Sequence, residues 1–393
     1  MSWRFAGTGV GSGSRGGSVV VSTPTTGRRG RSLLAMRYVV IMAGGAGTRL
    51  WPLSRNGMPK QLLRLIEGKS LLRIAYERVA GVVPDENILV CAGAAYLDVV
   101  AAELPELPAA NLLGEPVGRD SLNAVAWPAA VLAARDPEAV VSVLTADGII
   151  RPVPAFQAAL DEAYRAAETD PLALVTFGVV PTSPHTGFGY LKRGAQVAGL
   201  PETFAVEQFK EKPDLATATS YVDSGDYWWN SGMFVWRAQT LLDQLKALQP
   251  ATYDGVVELA AHPEALERIY PTLPKNSVDF AVMEPVSNGL ATAHVVAVRL
   301  PIEWYDVGGF ASLGEHLPQV DGNAVEGRTV AVDSTGNVIV NRGAGEGLVA
   351  VVGLNDTVVV TAGDITLVCP KDRAEDVKRL VAAVVEAAGG AYA

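Results

Sequence analysis

A glycine-rich loop followed by two cations is the strongest chemical signal in the sequence. The apolar run Val39–Met42 is typical of a buried strand, and it leads directly into the loop Gly44–Arg49. Glycines after a strand let the backbone approach a ligand closely, and consecutive N–H groups there can hold phosphate oxygens. Lys60 adds a second positive charge to that of Arg49. The candidate polyphosphate-binding residues are Gly44, Gly45, Gly47, Thr48, Arg49 and Lys60.

The loop differs from the two best-known phosphate-binding loops. A Walker A loop ends in Gly-Lys-Ser/Thr, whereas here Gly47 is followed by Thr48 and Arg49. The dinucleotide-binding fingerprint needs Gly or Ala three residues after Gly47, and this chain has Leu50 there. A tight strand-to-helix turn without a ligand is the structural alternative. The ordered cations and prolines that follow the loop argue against that alternative.

Composition excludes several other functions. The chain has 393 residues, of which 49% are hydrophobic and 19% charged, so we expect a globular protein with a large core. A net charge of −10 argues against nucleic-acid binding, although a local basic site can still bind a phosphorylated substrate. No apolar run is long enough to cross a membrane. We predict that Cys91 and Cys369 are buried, reduced thiols, and we expect a cytoplasmic protein.

Alternating apolar runs and amphipathic stretches predict the elements that position this loop. Between Tyr38 and Val180 they predict an α/β fold, namely a Rossmann-like, mixed but mostly parallel sheet with helices on both faces. Ligands bind beyond the carboxyl ends of strands in such sheets, and both Gly44–Arg49 and Thr145–Asp147 follow predicted strands. The predicted strands are Tyr38–Met42, Asn87–Cys91, Ala139–Leu144 and Leu172–Val179, and the predicted helices are Ser70–Val79, Ala94–Leu104, Ser121–Arg135 and Val153–Thr169.

Two changes in texture divide the chain. Residues 1–35 are rich in Gly, Ser, Thr and Arg, and we predict a disordered tail there, with Met36 as a second candidate start of translation. After Pro318, short β-rich pieces recur about every ten residues and predict a small β-helix-like unit closed by a helix. The predicted domains are therefore the main α/β domain at 36–318 and a C-terminal β-rich domain at 319–393. No low-complexity linker separates them, so we expect the second to dock firmly.

Several segments, among them Thr186–Tyr190 and Ser277–Glu284, resemble those of one enzyme family, the nucleotide-sugar pyrophosphorylases. The loop with its continuation through Trp51–Arg55 and Gln61 is most similar to the branch that joins GTP and mannose 1-phosphate. The resemblance covers nearly the whole chain after residue 35. The other matching segments are Glu115–Ser121, Phe209–Pro213, Trp229–Phe234 and Trp304–Gly309, which is similar to the family's W-x-D-x-G motif.

This resemblance implies a reaction and a metal ion. Domain 36–318 would be catalytic: GMP would pass from GTP to mannose 1-phosphate by in-line attack on the α-phosphorus, giving GDP-mannose and pyrophosphate. Asp147 and Asp306 would bind Mg²⁺, and Arg49 and Lys60 would act on the triphosphate. By pattern alone, an Asp after a strand, such as Asp147, is more typical of a helix cap or turn. In this branch a His commonly follows that aspartate, whereas Gly148 follows it here.

The resemblance also assigns the two substrates. Glu211 would accept hydrogen bonds from sugar hydroxyls, and Lys212 would hold the sugar phosphate, although a Glu-Lys pair before proline is by itself typical of a solvated turn. Asn230 and Gly187 would complete the sugar site. Arg119, Asp120 and Ser121 would contact the nucleotide, with Asp120 a candidate acceptor for the N–H groups of guanine. For Ser277–Glu284 both sugar contact and helix packing remain open, and packing is favoured.

Two other functions remain open. The closer alternative is the same chemistry with another base or sugar, such as glucose 1-phosphate. The more distant one is a non-catalytic regulatory homologue, which should have lost a metal carboxylate or a phosphate-binding cation, whereas this chain has all of them. We expect no nucleic-acid or membrane partner, and we expect a homodimer formed through the C-terminal unit.

Overall fold

The computed structural model describes residues 36–45, 47–55 and 57–392. The predicted disordered tail at residues 1–35 lies outside the described residues. The strands are β1 (Arg37–Ala43), β2 (Arg64–Ile66), β3 (Lys69–Ser70), β4 (Ile88–Gly93), β5 (Leu112–Glu115), β6 (Val140–Thr145), β7 (Gly148–Arg151), β8 (Ala173–Val179), β9 (Tyr190–Gln196), β10 (Thr203–Lys210), β11 (Tyr227–Arg237), β12 (His294–Arg299), β13 (Glu303–Asp306), β14 (Gln319–Val320), β15 (Asn323–Glu326), β16 (Thr329–Val332), β17 (Val338–Gly343), β18 (Val349–Val352), β19 (Thr357–Gly363) and β20 (Ile365–Pro370).

Helices cover the sheet and connect its strands. The α-helices are α1 (Leu71–Val79), α2 (Leu97–Glu103), α3 (Asp120–Arg135), α4 (Val153–Thr169), α5 (Leu215–Ser224), α6 (Ala238–Leu248), α7 (Pro250–Ala261), α8 (Leu266–Ile269), α9 (Glu284–Ser287), α10 (Phe310–Gly314) and α11 (Val377–Ala388). Three short 3₁₀ turns matter for the site, and they are Thr48–Leu50, Lys60–Leu62 and Lys371–Asp376. A π-helical turn, Asp279–Met283, precedes α9.

The main sheet has nine strands in the order β5-β4-β1-β6-β11-β8-β12-β10-β9. The pairings make β10 and β11 run against the other seven strands, so the predicted mixed, mostly parallel sheet is confirmed. One apolar core, which includes α3, α6 and α7, covers one face, and a second core, which includes α1 and α4, covers the other. Strands buried on both faces are continuous apolar runs, and Val39, Val40 and Ile41 are fully buried in this way.

The predicted strands and helices of the first half are all present, and their ends differ from the prediction by at most three residues. The sequence analysis did not predict β5 and β7, which are four residues long and bring Glu115 and Gly148 to the site. Both are too short for a clear period. Cys91 is buried and free, as predicted. Cys369 is also free, but the prediction that it is buried is wrong. Cys369 is only partly buried because β20 is an edge strand whose residues alternate between core and solvent.

A parallel β-helix forms the C-terminal unit, as predicted. Strands β15, β17 and β19 stack in parallel, so that Ala324, Val338 and Val358 lie in one row, and β16 pairs in parallel with β18 on a second face. Asn337 stabilises the stack from inside, because its Nδ2 donates to Asn323 Oδ1 at 2.8 Å and its Oδ1 accepts from Thr357 N at 2.9 Å. Each buried polar group thereby gains a partner in the next coil.

The β-helix docks on the main domain through a third apolar core. Leu50 and Trp51, from the segment after the glycine-rich loop, pack in one cluster with Val358 and Val360 of the β-helix and Phe310 of α10. This shared core confirms the expectation of firm docking. Among the described residues, no helix combines the length and apolar character needed to cross a membrane.

Candidate active site

The glycine-rich loop leaves the carboxyl end of β1 in a shape that its neighbours impose. Gly47 has φ +61°, and a β-carbon there would lie 2.5 Å from the Lys60 β-carbon, so only glycine fits. Ser54 Oγ donates to the Gly47 carbonyl at 2.6 Å, and Gln61 Nε2 donates to the Gly44 carbonyl. The residues that follow the loop in sequence therefore hold it from outside.

Lys60 and Asp147 meet at the same rim of the sheet. Strands β1 and β6 are parallel neighbours, and Ala146 N donates to the Met42 carbonyl at 3.0 Å, so their carboxyl ends lie side by side. The nearly buried Lys60 Nζ lies 3.1 Å from Asp147 Oδ2. Buried ammonium groups need such a partner. A predicted phosphate-binding cation and a predicted metal carboxylate are thus in direct contact.

The backbone brings Asp306 beside the Asp147 loop. Strand β13 pairs antiparallel with β7, so that Asp306 is opposite Gly148, and Val307 N donates to the Asp147 carbonyl at 3.1 Å. Carboxylate oxygens are ligands that hard divalent cations prefer, and such ions take further ligands from substrate phosphates. Among the described residues, no group of three or more His, Cys, Asp or Glu side chains converges. The pairing of β13 with β7 brings two candidate carboxylates together, and such a pair fits a divalent ion that takes its other ligands from phosphates.

Gly148 leaves room for an aromatic ring. A β-carbon at this position would lie 2.9 Å from the indole nitrogen of Trp304 on the facing strand β13. The Trp304 ring in turn packs against Phe188, with 5.2 Å between ring centroids. A side chain at position 148, histidine included, cannot be accommodated here unless the Trp304 indole moves.

A cavity of about 470 Å³ opens between the loop and the N-terminus of α3. Asp120, the first residue of α3, is exposed with φ +65°, whereas Ser121 Oγ accepts from Val278 N at 3.1 Å. Glu115 at the end of β5 is almost buried and accepts from the Tyr270 hydroxyl, and burial raises the pKa of the Glu115 carboxyl. The lining residues are Met42, Gly44, Gly45, Glu115, Gly118, Arg119, Asp120, Ser121, Ala124, Thr145, Asp147 and Lys275.

Glu211 and Lys212 form an ion pair at the end of β10. The two side chains are 2.9 Å apart, and a β-carbon at Gly189 would lie 2.5 Å from Glu211 Oε2, so glycine is needed there for Glu211 to fit. Burial lowers the pKa of Lys212, but the hydrogen bond and charge of Glu211, with the charges of Asp279 and Asp120, raise it overall. Asp120 also lines the cavity, so the charge of Lys212 interacts with a residue of the cavity wall. Lys212 has φ +44°, a rare backbone conformation that clusters at functional sites.

Asn230 forms a hydrogen bond with Asp279, a residue that was not among the predicted site residues. Its Oδ1 accepts from Thr176 Oγ1 at 2.7 Å, and its Nδ2 donates to Asp279 Oδ1 at 2.8 Å. Burial and the charge of Glu211 raise the pKa of Asp279 from 3.8 to about 7. Helix packing was the favoured role for this segment, and Ala281, Val282 and Met283 do pack in the core. The π-helical turn also places Asp279 beside Asn230. The Ser277–Glu284 motif was the available signal, but sequence spacing could not pair it with Asn230.

We expect Asp279→Asn to change the pH dependence of stability. A carboxyl whose pKa is higher in the folded protein binds an extra proton there, so the contribution of Asp279 to stability is greatest below about pH 4 and declines as pH rises to about 7. The neutral amide abolishes this decline and can still accept from Asn230. Thermal unfolding should therefore show the variant gaining on the wild type between pH 5 and pH 8. An equal difference in melting temperature at both pH values, or the same gain in the exposed control Asp243→Asn on α6, would contradict this.

Arg49 and Gly187 are predicted site residues that lie outside the cavity lining and contact other groups. Arg49 Nη1 contacts both carboxylate oxygens of Glu375 at 3.1 Å, in the C-terminal turn Lys371–Asp376. Gly187 lies beside an aromatic group, where its N–H donates to His185 Nδ1 at 3.1 Å and His185 stacks on Phe188 with 4.1 Å between centroids. The remaining predicted residues lie around the cavity, the Lys60–Asp147 pair or the Glu211–Lys212 pair.

Comparison with known proteins identifies the family. The nucleotidyl transferase model matches residues 38–321, and the MannoseP isomerase/GMP-like beta-helix domain model matches residues 327–384. The chain is 39% identical to the xanthan biosynthesis protein XanB of Xanthomonas campestris pv. campestris (strain B100), over 88% of this chain and 73% of that protein. It is 38% identical to a mannose-1-phosphate guanylyltransferase of Escherichia coli (strain K12), over 88% of this chain and 72% of that protein.

A solved structure agrees with this assignment. A protein of Thermus thermophilus, described as a mannose-1-phosphate geranyltransferase, matches with a TM-score of 0.78 and 34% identity, over 88% of this chain and 99% of that chain. Members of the family act on a nucleoside triphosphate and a sugar phosphate, and they generally use a divalent metal ion. The chain belongs to the nucleotidyl transferase family, in its mannose-1-phosphate guanylyltransferase branch.

Proposed function

We propose that this protein transfers GMP from GTP to mannose 1-phosphate, which gives GDP-mannose and pyrophosphate. The observation that carries the proposal is the contact of Lys60 with Asp147 beside the glycine-rich loop, with the Glu211–Lys212 pair in electrostatic range of the same cavity. A triphosphate site and a sugar phosphate site whose charged residues interact suit a transfer between two anions. The identity of the relatives supports the choice of base and sugar.

In the proposed reaction a phosphate oxygen of mannose 1-phosphate attacks the α-phosphorus of GTP. A new P–O bond forms as the bond to the β-phosphate oxygen breaks, and pyrophosphate leaves with the electron pair. The attacking phosphate is already an anion near pH 7, so no general base is required. The protein has to align two anions and offset their repulsion, which is mainly electrostatic work.

The proposed roles follow the positions of the side chains. The N–H groups of Gly44–Thr48, together with Arg49 and Lys60, bind the triphosphate, while Arg119, Asp120 and Ser121 line the base and ribose end. Lys212 binds the sugar phosphate, and Glu211 accepts from hexose hydroxyls; its buried Oε2 has no protein partner among the described residues. Asn230 and Gly187 shape the hexose site. Asp147 and Asp306 would hold Mg²⁺, which when bound would neutralise phosphate charge.

The proposal includes the domain boundaries, the assembly and the location. We keep the catalytic domain at 36–318 and the β-rich domain at 319–393, and we place the protein in the cytoplasm. The outward face of β16 and β18 exposes Val330, Val332 and Val352, which supports a homodimer formed through this unit. Light scattering of the purified protein tests the homodimer.

Pyrophosphate release tests the reaction. Purified protein with Mg²⁺ is assayed with four nucleoside triphosphates, each with mannose 1-phosphate or glucose 1-phosphate. Release should be fastest with GTP and mannose 1-phosphate. Fastest release with another pair would keep the chemistry and change the specificity. Folded protein that releases no pyrophosphate with any pair would favour the regulatory homologue, although the chain retains every predicted phosphate-binding cation and metal carboxylate.

We expect Asp120→Ala to reduce the preference for GTP over ATP by about tenfold or more, since a carboxylate accepts from the two N–H donors of guanine and adenine lacks them. The ratio of kcat/KM for GTP and ATP measures this effect. Asp136→Ala, at the opposite end of α3, is the matched control. A preference that survives in Asp120→Ala would assign base recognition elsewhere; the almost buried Glu115 is another carboxylate of the cavity.

A further inference from the structure

The segment that follows the glycine-rich loop contacts the C-terminal unit. Trp51 Nε1 donates to the Tyr392 carbonyl at 2.6 Å, and Arg55 pairs with Asp364 at 3.2 Å. Leu50 is completely buried in the core shared with the β-helix. The backbone around Arg49 is therefore held in place by contacts with the C-terminal unit.

The Arg49 side chain itself points to that unit. Its Nη1 is 3.1 Å from both oxygens of Glu375, and a β-carbon at Gly309 would lie 3.8 Å from the same carboxylate. Glu375 thus lies between the first predicted phosphate-binding cation and the loop that follows Asp306. Glu375 belongs to the C-terminal unit but lies at the edge of the candidate active site. It is not one of the predicted site residues.

We propose that Glu375 is a positioning residue that holds the Arg49 guanidinium at the C-terminal unit. The triphosphate of the bound nucleotide then competes with the Glu375 carboxylate for this guanidinium. The inference rests on the proposed role of Arg49 in triphosphate binding. Only one guanidinium nitrogen contacts the carboxylate, so the group can turn toward a phosphate without leaving its place.

Charge decides the direction of the effect. Both partners are about half exposed or more, at 44% and 72% of their side-chain surface, so the ion pair is weak and breaks readily. A triphosphate carries several negative charges and therefore competes well for Arg49. The Glu375 carboxylate remains nearby after the exchange and repels the nucleotide. Glu375 therefore lowers nucleotide affinity while it keeps Arg49 ordered in the empty enzyme.

Glu375→Gln separates charge from structure. The amide can still accept from Arg49 but no longer repels phosphate. Asp376→Asn is a matched control, because Asp376 is the next residue, carries the same charge and pairs with Arg373 at 2.6 Å instead of Arg49. Calorimetric titration of the full chain with GTP and Mg²⁺, without sugar phosphate, should show about two- to fivefold tighter binding in Glu375→Gln than in Asp376→Asn. The difference should shrink at high salt.

Turnover and a second background complete the test. The KM for GTP should fall in Glu375→Gln, with kcat and the KM for mannose 1-phosphate unchanged. In an Arg49→Gln background, Glu375→Gln should have no further effect on GTP binding, a coupling that a structural role would not produce. Equal GTP affinity in Glu375→Gln and Asp376→Asn, or weaker binding in the former, overturns the inference alone. A wild-type protein that binds no GTP overturns both the inference and the proposed function.

Discussion

Replacement of Asp147 with asparagine is expected to lower kcat by about a hundredfold or more, because the substitution removes charge and keeps shape at the centre of the phosphate site. Asp147 lies 3.1 Å from the Lys60 ammonium and follows the strand next to the glycine-rich loop. The neutral amide would bind a divalent ion poorly and would remove the Asp147 charge from the Lys60 ammonium. The concentration of Mg²⁺ that gives half-maximal pyrophosphate release should rise as well.

Asp147→Asn should leave the fold intact, since the Asp147 side chain is 41% exposed and belongs to none of the apolar cores. Asp243→Asn on α6 is the matched control: its carboxylate accepts only from Gln239 among the described hydrogen bonds, on an exposed helix surface. Pyrophosphate release and thermal unfolding are measured on both variants. A loss of less than tenfold, about 1.4 kcal/mol of activation free energy, would remove Asp147 from the proposed metal site.

Lys212→Met is expected to lower kcat/KM for mannose 1-phosphate by about a hundredfold or more, with GTP binding nearly unchanged. The ammonium group is the cation next to the predicted hexose-binding carboxylate Glu211, at 2.9 Å. Without it, the sugar phosphate enters a site where Glu211, Asp279 and Asp120 supply only negative charge or neutral acid. Initial rates at varied mannose 1-phosphate, together with calorimetry of GTP, separate the two substrates.

Lys212→Gly distinguishes function from folding at the same position. Because φ is +44° at Lys212, glycine relieves backbone strain there, so this variant should be at least as stable as Lys212→Met and equally inactive. Lys192→Met is the control, since Lys192 is a lysine of the neighbouring strand β9 and pairs with Glu207 at 2.8 Å. Substantial activity in either Lys212 variant would show that another group binds the sugar phosphate.

The sequence alone predicted the features that depend on local chemistry. Continuous apolar runs predicted β1 and β6 because strands buried on both faces need apolar side chains throughout. The glycine-rich loop was recognisable because Gly47 must adopt positive φ against Lys60, which restricts the residue type whatever the rest of the fold. Regular turns every ten or so residues indicated the β-helix, since each short strand must bury one face against the next coil.

Only the tertiary structure determined which distant side chains meet. Asp147 and Asp306 become neighbours through the pairing of β7 with β13, and β7 is too short to be predicted from its period. Asn230 reaches Asp279 through a π-helical turn, and Arg49 reaches Glu375 because the β-helix docks on its segment. The spacing of residues in the sequence shows which of them share a face of one helix or strand. Contacts between different elements depend on the order of the strands and on how the elements pack. The chemistry of each group was therefore predictable from the sequence, and its partner was not.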